Sequence, residues 1–353
     1  MTALASPARA GAGDRLPAVD PPIEDALRRP LRDLRVSVTD RCNFRCSYCL
    51  PPDAGEPRLV ARDGLLTFEQ IARVAEAAAD LGVSKVRLTG GEPLLPRGLP
   101  ALVAMLAGLR GVGELALTTN GWLLDHLAGP LADAGLRRAT VSLDSLDPDT
   151  FARISGVGAS PERVVAGIDA ALATGLRPVK LNAVIRRGVN DAGVVELAAF
   201  ARDRGLELRL IEYMDVGQAG RWDPAEVVPA AAMLAAVDAA YPLAAEEEPA
   251  DGSVARRYRY ADGAGALGVI TAVSRPFCGG CTRLRLTADG NIYTCLFAEW
   301  GADLRPLLQP GADPRLLGEA MLTTWGSRLD RYSETRASAR PGRRSVEMYR
   351  IGG

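Results

Sequence analysis

The sequence predicts an α/β fold: a partial (β/α)6 barrel with a smaller C-terminal α+β region covering the barrel mouth. Three observations carry that expectation. Six short β-type runs alternate with amphipathic helices between residues 34 and 214. Six units in series imply right-handed crossovers and a parallel sheet, yet fall short of the eight that close a full barrel. After Met214 the alternation stops, and short β pieces surround a separate group of cysteines.

The β runs fall at 34–39, 84–89, 114–119, 139–144, 178–185 and 207–213. The helices between them carry readable ends. Thr67 and Gln70 form a capping box, Ile71, Val74, Ala78 and Leu81 make one apolar face, and Gly82 stops it. Ser160-Pro161 opens another helix, with Val164, Val165, Ile168 and Leu172 leading to Gly175, and Asn190 opens a third that ends at Gly205. Residues 218–222 read as a loop, 229–240 as an Ala-rich helix, and the acidic run 246–248 as a solvated surface. Further β pieces are expected at 256–260, 267–272, 283–287 and 291–294. This gives a disordered N-terminal arm (1–30), a barrel domain (31–219) and a C-terminal region (220–353).

Composition sets outer bounds. The 353-residue chain is 48% hydrophobic and 24% charged, with a net charge of −1, so no global field favours nucleic acid or a membrane surface. The arm lacks an apolar stretch of the signal-peptide kind, and no run is long enough to span a bilayer. A reducing cytoplasm is therefore the expected location, one in which clustered cysteines are metal ligands more often than disulfides.

Side-chain alternation along the strands assigns faces. Leu34, Val36, Val86, Leu88, Val141, Leu143, Val179, Leu181 and Ala183 fall on one parity, to be packed under the outer helices. Arg35, Ser37, Thr39, Lys85, Arg87, Thr89, Ser142, Asp144, Lys180 and Asn182 fall on the other and should face the lumen. Cations there are costly without partners. Asp144 is expected to pair with one of them and an anionic ligand, a phosphate or carboxylate, with the rest. In the last run Arg209 and Met214 have opposite parity, so the chain is expected to bend there.

The six cysteines fall in two sets. Cys42, Cys46 and Cys49 sit in Thr39-Asp40-Arg41-Cys42-Asn43-Phe44-Arg45-Cys46-Ser47-Tyr48-Cys49, and Cys278, Cys281 and Cys295 form the second set. Soft thiolates at this spacing suit zinc or an iron–sulfur cluster, and three ligands leave one metal position open, the mark of a catalytic site. With His126 the sole histidine, two zinc sites of three cysteines each could not both be completed by histidine.

The first set resembles the signature of radical S-adenosylmethionine (SAM) enzymes, and Thr89-Gly90-Gly91-Glu92-Pro93 resembles the glycine-rich motif that accompanies it. The run from Phe277 through Cys278, Cys281 and Arg285 to Cys295, with the terminal Gly352-Gly353, resembles the GTP 3′,8-cyclase branch of molybdenum cofactor biosynthesis. The resemblance implies two [4Fe–4S] clusters, one on Cys42, Cys46 and Cys49 with SAM on its open iron, the other on Cys278, Cys281 and Cys295. It places Tyr48, Gly91, Ser142 and Met214 around SAM. It places GTP on Arg35, Arg87, Thr118, Lys180, Arg283, Leu284 and Arg285, with Lys85 and Arg209 as further candidates. Arg283, Arg285, Gly352 and Gly353 are implied to act in catalysis. The implied reaction begins with a 5′-deoxyadenosyl radical that takes hydrogen from C3′ of GTP. The C3′ radical attacks C8, and one electron and one proton complete (8S)-3′,8-cyclo-7,8-dihydroguanosine 5′-triphosphate.

The resemblance also implies an electron donor of unspecified identity. Homo-oligomerisation and transfer of the product to the next pathway enzyme stay open. The rival readings are another two-cluster radical SAM enzyme with a different substrate, a non-catalytic zinc-stapled binding protein, and a ferredoxin-type carrier. The carrier fails on size and on the missing fourth cysteines.

Overall fold

The computed structural model describes residues 23–217, 222–247, 252–338, 343 and 345–352. Six parallel strands, β1 (Asp33–Ser37), β2 (Lys85–Thr89), β3 (Glu114–Thr119), β4 (Arg138–Ser142), β5 (Val179–Ile185) and β6 (Glu207–Glu212), lie side by side in chain order. They alternate with α1 (Phe68–Asp80), α2 (Leu99–Ala107), α3 (Leu124–Asp133), α4 (Pro148–Ser155), α5 (Pro161–Ala173) and α6 (Val194–Asp203). Thr67 and Gln70 exchange both capping-box hydrogen bonds at the start of α1. The apolar parity of the strands is buried under these helices: Leu34, Val36, Val86, Leu88, Val141 and Leu181 are fully enclosed.

The C-terminal segment extends this sheet at both edges. After α7 (Ala230–Ala240), β7 (Leu243–Ala245), β8 (Ala255–Tyr260) and β9 (Ala266–Ile270) continue it beyond β6, with β9 parallel to β6. The chain then crosses to the opposite edge, where β10 (Arg283–Leu286) pairs in parallel with β1, followed by β11 (Asn291–Tyr293) and β12 (Ala302–Asp303). The result is one twelve-stranded sheet, β12-β11-β10-β1-β2-β3-β4-β5-β6-β9-β8-β7. The long helix α8 (Pro314–Gly326) packs against α1. The sheet edges left open by six βα units are thus paired from within the chain, which satisfies their backbone groups.

Three local expectations are corrected. The arm does not run to residue 30: residues 23–30 are folded in, with Asp25 and Arg29 buried, while residues 1–22 lie outside the described residues. Asn190 does not cap α6 directly. A short turn intervenes, and its side chain instead donates to the Asp144 and Val184 carbonyls at 2.8 and 2.9 Å. Glu246 is not simply solvated, because Arg257 (3.2 Å) and Arg259 hold it in ion pairs. Glu248 and residues 218–221 of the expected loop lie outside the described residues.

Candidate active site

The first cysteine loop leaves the C-terminal end of β1, the edge of a parallel sheet where ligands gather. It is held by backbone bonds from Arg45 N to Ser155 O (2.8 Å) and from Ser47 N to Ile154 O (3.0 Å), and by Arg186, which reaches from the end of β5 to the Ser47 hydroxyl (2.8 Å). The glycine-rich loop after β2 lies directly on it. Gly91 N donates to Thr39 O at 2.8 Å and Glu92 N to Arg41 O at 2.7 Å. A Cβ on Gly91 would sit 2.2 Å from Arg41 O, so the close approach that glycine permits is to the cysteine loop itself.

Glu92 is buried beneath this junction and accepts from Leu94 N, Asn120 N and the Thr119 hydroxyl, at 3.0, 2.8 and 2.6 Å. Burial pushes its carboxyl up to about 7 despite those donors. Asn120, at the end of β3, reaches Cys42 Sγ at 4.0 Å. The role of Glu92 was not anticipated. A carboxylate between two glycines and a proline, ahead of no helix that it caps, was the available signal.

Tyr48 donates to Asp144 at 2.8 Å, and Asp144 also accepts from Val184 N at 2.8 Å. The expected pairing of Asp144 with a lumenal cation is therefore corrected. Its carboxylate is engaged at the strand ends, and burial pushes it up to about 6. Ser142, two residues before Asp144 at the end of β4, is half-buried. Beyond β6 the chain bends, so Met214 joins Arg209 and Ile211 on one wall of the central cavity, as the parity break had required.

That cavity, about 1400 Å³, fills the polar side of the sheet and touches the second cysteine set. It exceeds the roughly 300–1,000 Å³ typical of a single small-molecule site. Strand register organises its charges into rows. The lowest row alternates sign: Arg283, Asp33, Lys85 and Glu114 are successive Cα partners across β10, β1, β2 and β3. Lys85 meets Glu114 at 3.2 Å and Asp33 at 3.9 Å. The next row stacks like charges: Arg285, Arg35 and Arg87 lie on three neighbouring strands, followed by Ala116. Arg87 donates to the Thr118 and Thr140 hydroxyls, both at 3.1 Å. Burial first, then the neighbouring guanidiniums, pushes Arg35 well below the ordinary arginine range and Arg87 to about 10. Three adjacent cations in low dielectric are an unfavourable arrangement that an anion would relieve.

Two sequence assignments look different in this light. Lys180 has a resident partner, Glu207, opposite it on β6 at 2.7 and 2.8 Å, and Arg209 bonds the same carboxylate at 2.8 Å. Glu207 shares the parity of Arg209, a signal available in the sequence and missed. Leu284 alternates with Arg283 and Arg285 on β10 and its side chain is fully buried in the core, which leaves only its backbone for a substrate. The C-terminal tail returns to the site. Gly352 O accepts from Arg285 at 2.6 Å, and Gly352 sits beside Ser37 and Thr89 at the ends of β1 and β2. Gly353 lies outside the described residues. His126, the sole histidine, pairs with Asp125 on an exposed face.

The donor chemistry of the two thiol sets, three soft thiolates each, suits iron–sulfur clusters. All six cysteines are free of disulfides. Burial drives the Cys46 thiol well up, and the charges of Cys49 and Cys42 add to it, so the three sulfurs of the first set act on one another. Bound iron would relieve that cost. In the second set burial raises Cys281, but Arg328 and Arg283 outweigh it and hold the thiol at about 7.

Comparison with known proteins gives the family. The family description "Radical SAM superfamily" matches residues 36–201, and "Molybdenum Cofactor Synthesis C" matches residues 206–334. A GTP 3′,8-cyclase of Acidothermus cellulolyticus is 52% identical, over 94% of this chain and 99% of that protein. The chain belongs to the GTP 3′,8-cyclase family. Relatives of the same name from Xanthomonas campestris and Staphylococcus aureus are 46% and 42% identical, each over 94% of this chain and 98% and 99% of theirs.

Among solved structures, Streptococcus suis SuiB bound to S-adenosylmethionine superposes with a TM-score of 0.58 at 16% identity, covering 82% of this chain and 67% of that one. The structure of anSMEcpe with bound AdoMet gives 0.55 at 14%, covering 91% and 94%. These two establish the shared fold. As a family member the chain is an enzyme of the radical SAM type, with two [4Fe–4S] clusters and S-adenosylmethionine as its cofactors. The zinc-staple and electron-carrier readings fall away. Among the described residues no helix is long and apolar enough to cross a membrane.

Proposed function

We propose that this enzyme converts GTP to (8S)-3′,8-cyclo-7,8-dihydroguanosine 5′-triphosphate, with the substrate lying in the central cavity between the two cysteine sets. The row Arg285, Arg35 and Arg87 carries this reading, because three guanidiniums on neighbouring strands have the chemistry to hold a polyanion. The triphosphate engages that row with Thr118, Lys180, Arg209 and Lys85 around it. Arg283 and Arg285, which lie just beyond Cys281 and line the cavity beside it, hold the nucleoside end toward the set Cys278, Cys281 and Cys295. Cys42, Cys46 and Cys49 hold the cluster that binds SAM, with Tyr48, Gly91, Ser142 and Met214 around it.

When bound, that cluster and SAM supply the one-electron chemistry that removes hydrogen from C3′ of GTP. The chain's own task is position: it holds C3′ in reach and excludes water. Tyr48, fixed by Asp144, lines the SAM side, while Gly352 places its carbonyl on Arg285 and closes the strand ends between the two sets. Hydrogen removal would draw one electron and completion of the cyclised product a second, with a proton, so each turnover would need two electrons from an external donor. A one-electron donor therefore docks in each cycle. The cytoplasm is the proposed location. Homo-oligomers and direct handover of product to the next pathway enzyme are compatible with this reading.

The reaction is tested by incubating the reconstituted, dithionite-reduced enzyme with SAM and GTP. GTP-dependent 5′-deoxyadenosine and a product isomeric with GTP are expected by mass spectrometry. SAM cleavage indifferent to GTP would sink the substrate assignment.

The cavity also predicts a pH response. Burial and Arg209 push the Lys180 ammonium down to about 8, against the attraction of Glu207. Its folded value lies below the ordinary one, so the charge is present at pH 7 and is lost as pH rises through about 8. GTP affinity should therefore weaken between pH 7 and 9, and Lys180→Met should flatten the profile. Equilibrium dialysis of GTP across that range checks this, and a flat wild-type profile would remove Lys180 from the phosphate site.

A further inference from the structure

Behind the second cysteine set lies a buried charged brace that the proposed chemistry does not use. It joins three segments far apart in sequence: residues 23–31, the cysteine loop before β10, and the turn after α8. Arg29 is 1% exposed and its Nε bonds Asp25 at 2.6 Å, while its Nη1 donates to the carbonyls of Cys278 (3.1 Å) and Asp330 (2.7 Å). Arg328 is 4% exposed and donates to the Cys281 carbonyl at 2.8 Å, with Asp25 at 3.6 Å and Asp330 at 3.5 Å. Trp325 stacks on Arg328 at 4.7 Å, and its indole donates to the Arg29 carbonyl at 3.2 Å. Each of two cysteines in the set thus has its backbone carbonyl pinned by a different buried guanidinium. Arg29 Nη2 and Arg328 Nε are enclosed without a hydrogen-bond partner among the described residues.

The charges do not balance locally. Arg29, Arg328, Arg283 and Arg285 surround the set, against the carboxylates Asp25, Asp330 and Asp33, which leaves positive charge in surplus. Burying surplus positive charge is unfavourable unless an anion shares the space. A cluster held by three thiolates is such an anion, and neighbouring charge and hydrogen bonds to its ligands set its reduction potential.

We propose that Arg29 and Arg328 are positioning residues for the second cluster: they fix the Cys278–Cys281 loop and, through their charge, hold that cluster at a higher potential than the loop alone would give. This rests on the assignment of Cys278, Cys281 and Cys295 as its ligands. Asp25 acts through both arginines, which explains why residues 23–31 are folded into the C-terminal region rather than left as an arm.

The test uses the full-length chain carrying Cys42→Ala, Cys46→Ala and Cys49→Ala, so that the remaining iron belongs to the second site. Iron and acid-labile sulfide per chain, and the midpoint potential by EPR-monitored titration, are compared for Arg328→Gln, Arg328→Lys, Arg29→Gln and Cys281→Ala. Arg328→Gln and Arg29→Gln should shift the midpoint to more negative values and shed iron faster to a chelator. Arg328→Lys, keeping charge without the planar fork, should hold the potential but lose iron faster. Unchanged potential and iron retention in both glutamine variants would overturn the inference. If Arg328→Gln does not fold, Arg328→Lys decides: wild-type iron retention there overturns the brace. Full iron in Cys281→Ala would overturn the ligand assignment instead.

Discussion

Gly91→Ala is expected to abolish SAM cleavage while leaving the cavity able to bind GTP. The added Cβ would lie 2.2 Å from Arg41 O, 2.5 Å from Arg41 C and 3.0 Å from Cys42 N, and all three are backbone atoms. Neither side can give way easily. Ser37 and Thr89 are paired in the sheet just before the two loops diverge, and the bonds Gly91 N to Thr39 O and Glu92 N to Arg41 O tie them together. The cysteine loop must therefore move at Cys42, the first of three sulfurs that have to meet one cluster. Misplacing a reacting group by about 1 Å can cost on the order of 10²-fold in rate. A loop that cannot close around iron should lose more. Iron per chain should fall toward the content of the second site alone, and 5′-deoxyadenosine formation should drop by at least about 10²-fold. Full iron content with normal SAM cleavage would show that the glycine contact is incidental.

Gly352→Ala should give the opposite pattern: normal iron and SAM binding with a large loss of product formation. Gly352 has φ +71°, a left-handed conformation that an alanine adopts only under strain, and its Cβ would lie 2.1 Å from Thr89 Oγ1. The tail would have to leave its place against Ser37 and Thr89, and Arg285 would lose the carbonyl that fixes its fork at 2.6 Å. Arg285 belongs both to the like-charge row and to the loop after Cys281, so freeing it disturbs the substrate at both ends. On the order of a 10²-fold loss in kcat is expected, with KM for SAM unchanged. Steady-state kinetics with separate quantification of 5′-deoxyadenosine and cyclised product would show it. Wild-type kcat would mean that the tail merely rests on the site.

Much of this was legible because strands alternate. Parity alone placed Arg35, Lys85, Arg87 and Lys180 in the lumen and Leu34, Val86 and Leu181 under helices, since a one-residue shift would exchange the two sets. The same rule turns the Leu284 side chain into the core, because it stands between Arg283 and Arg285 on one strand, and leaves its backbone alone for a substrate. Parity was silent on which cations are already neutralised. Lys180 and Glu207 are twenty-seven positions apart and meet only because β5 and β6 pair in register. The Asp144–Tyr48 bond and the Arg29–Cys278 contact span longer separations still. Each depends on two loops or segments converging, which no local pattern encodes.

The sequence by itself determined the six βα units, both cysteine sets and the polar lining. Apart from Cys295, which stands well beyond Cys281, each of those is written in spacing of two, three or four residues, the scale at which backbone geometry acts. Only the tertiary structure decided that β9 and β10 complete the two open edges, that the arginine row carries three like charges side by side, that residues 23–31 pack against the second cysteine loop, and that Gly352 returns to the ends of β1 and β2. Those outcomes depend on strand order and register across the whole chain. There the cost of unpaired sheet edges and buried charge is settled between residues hundreds of positions apart.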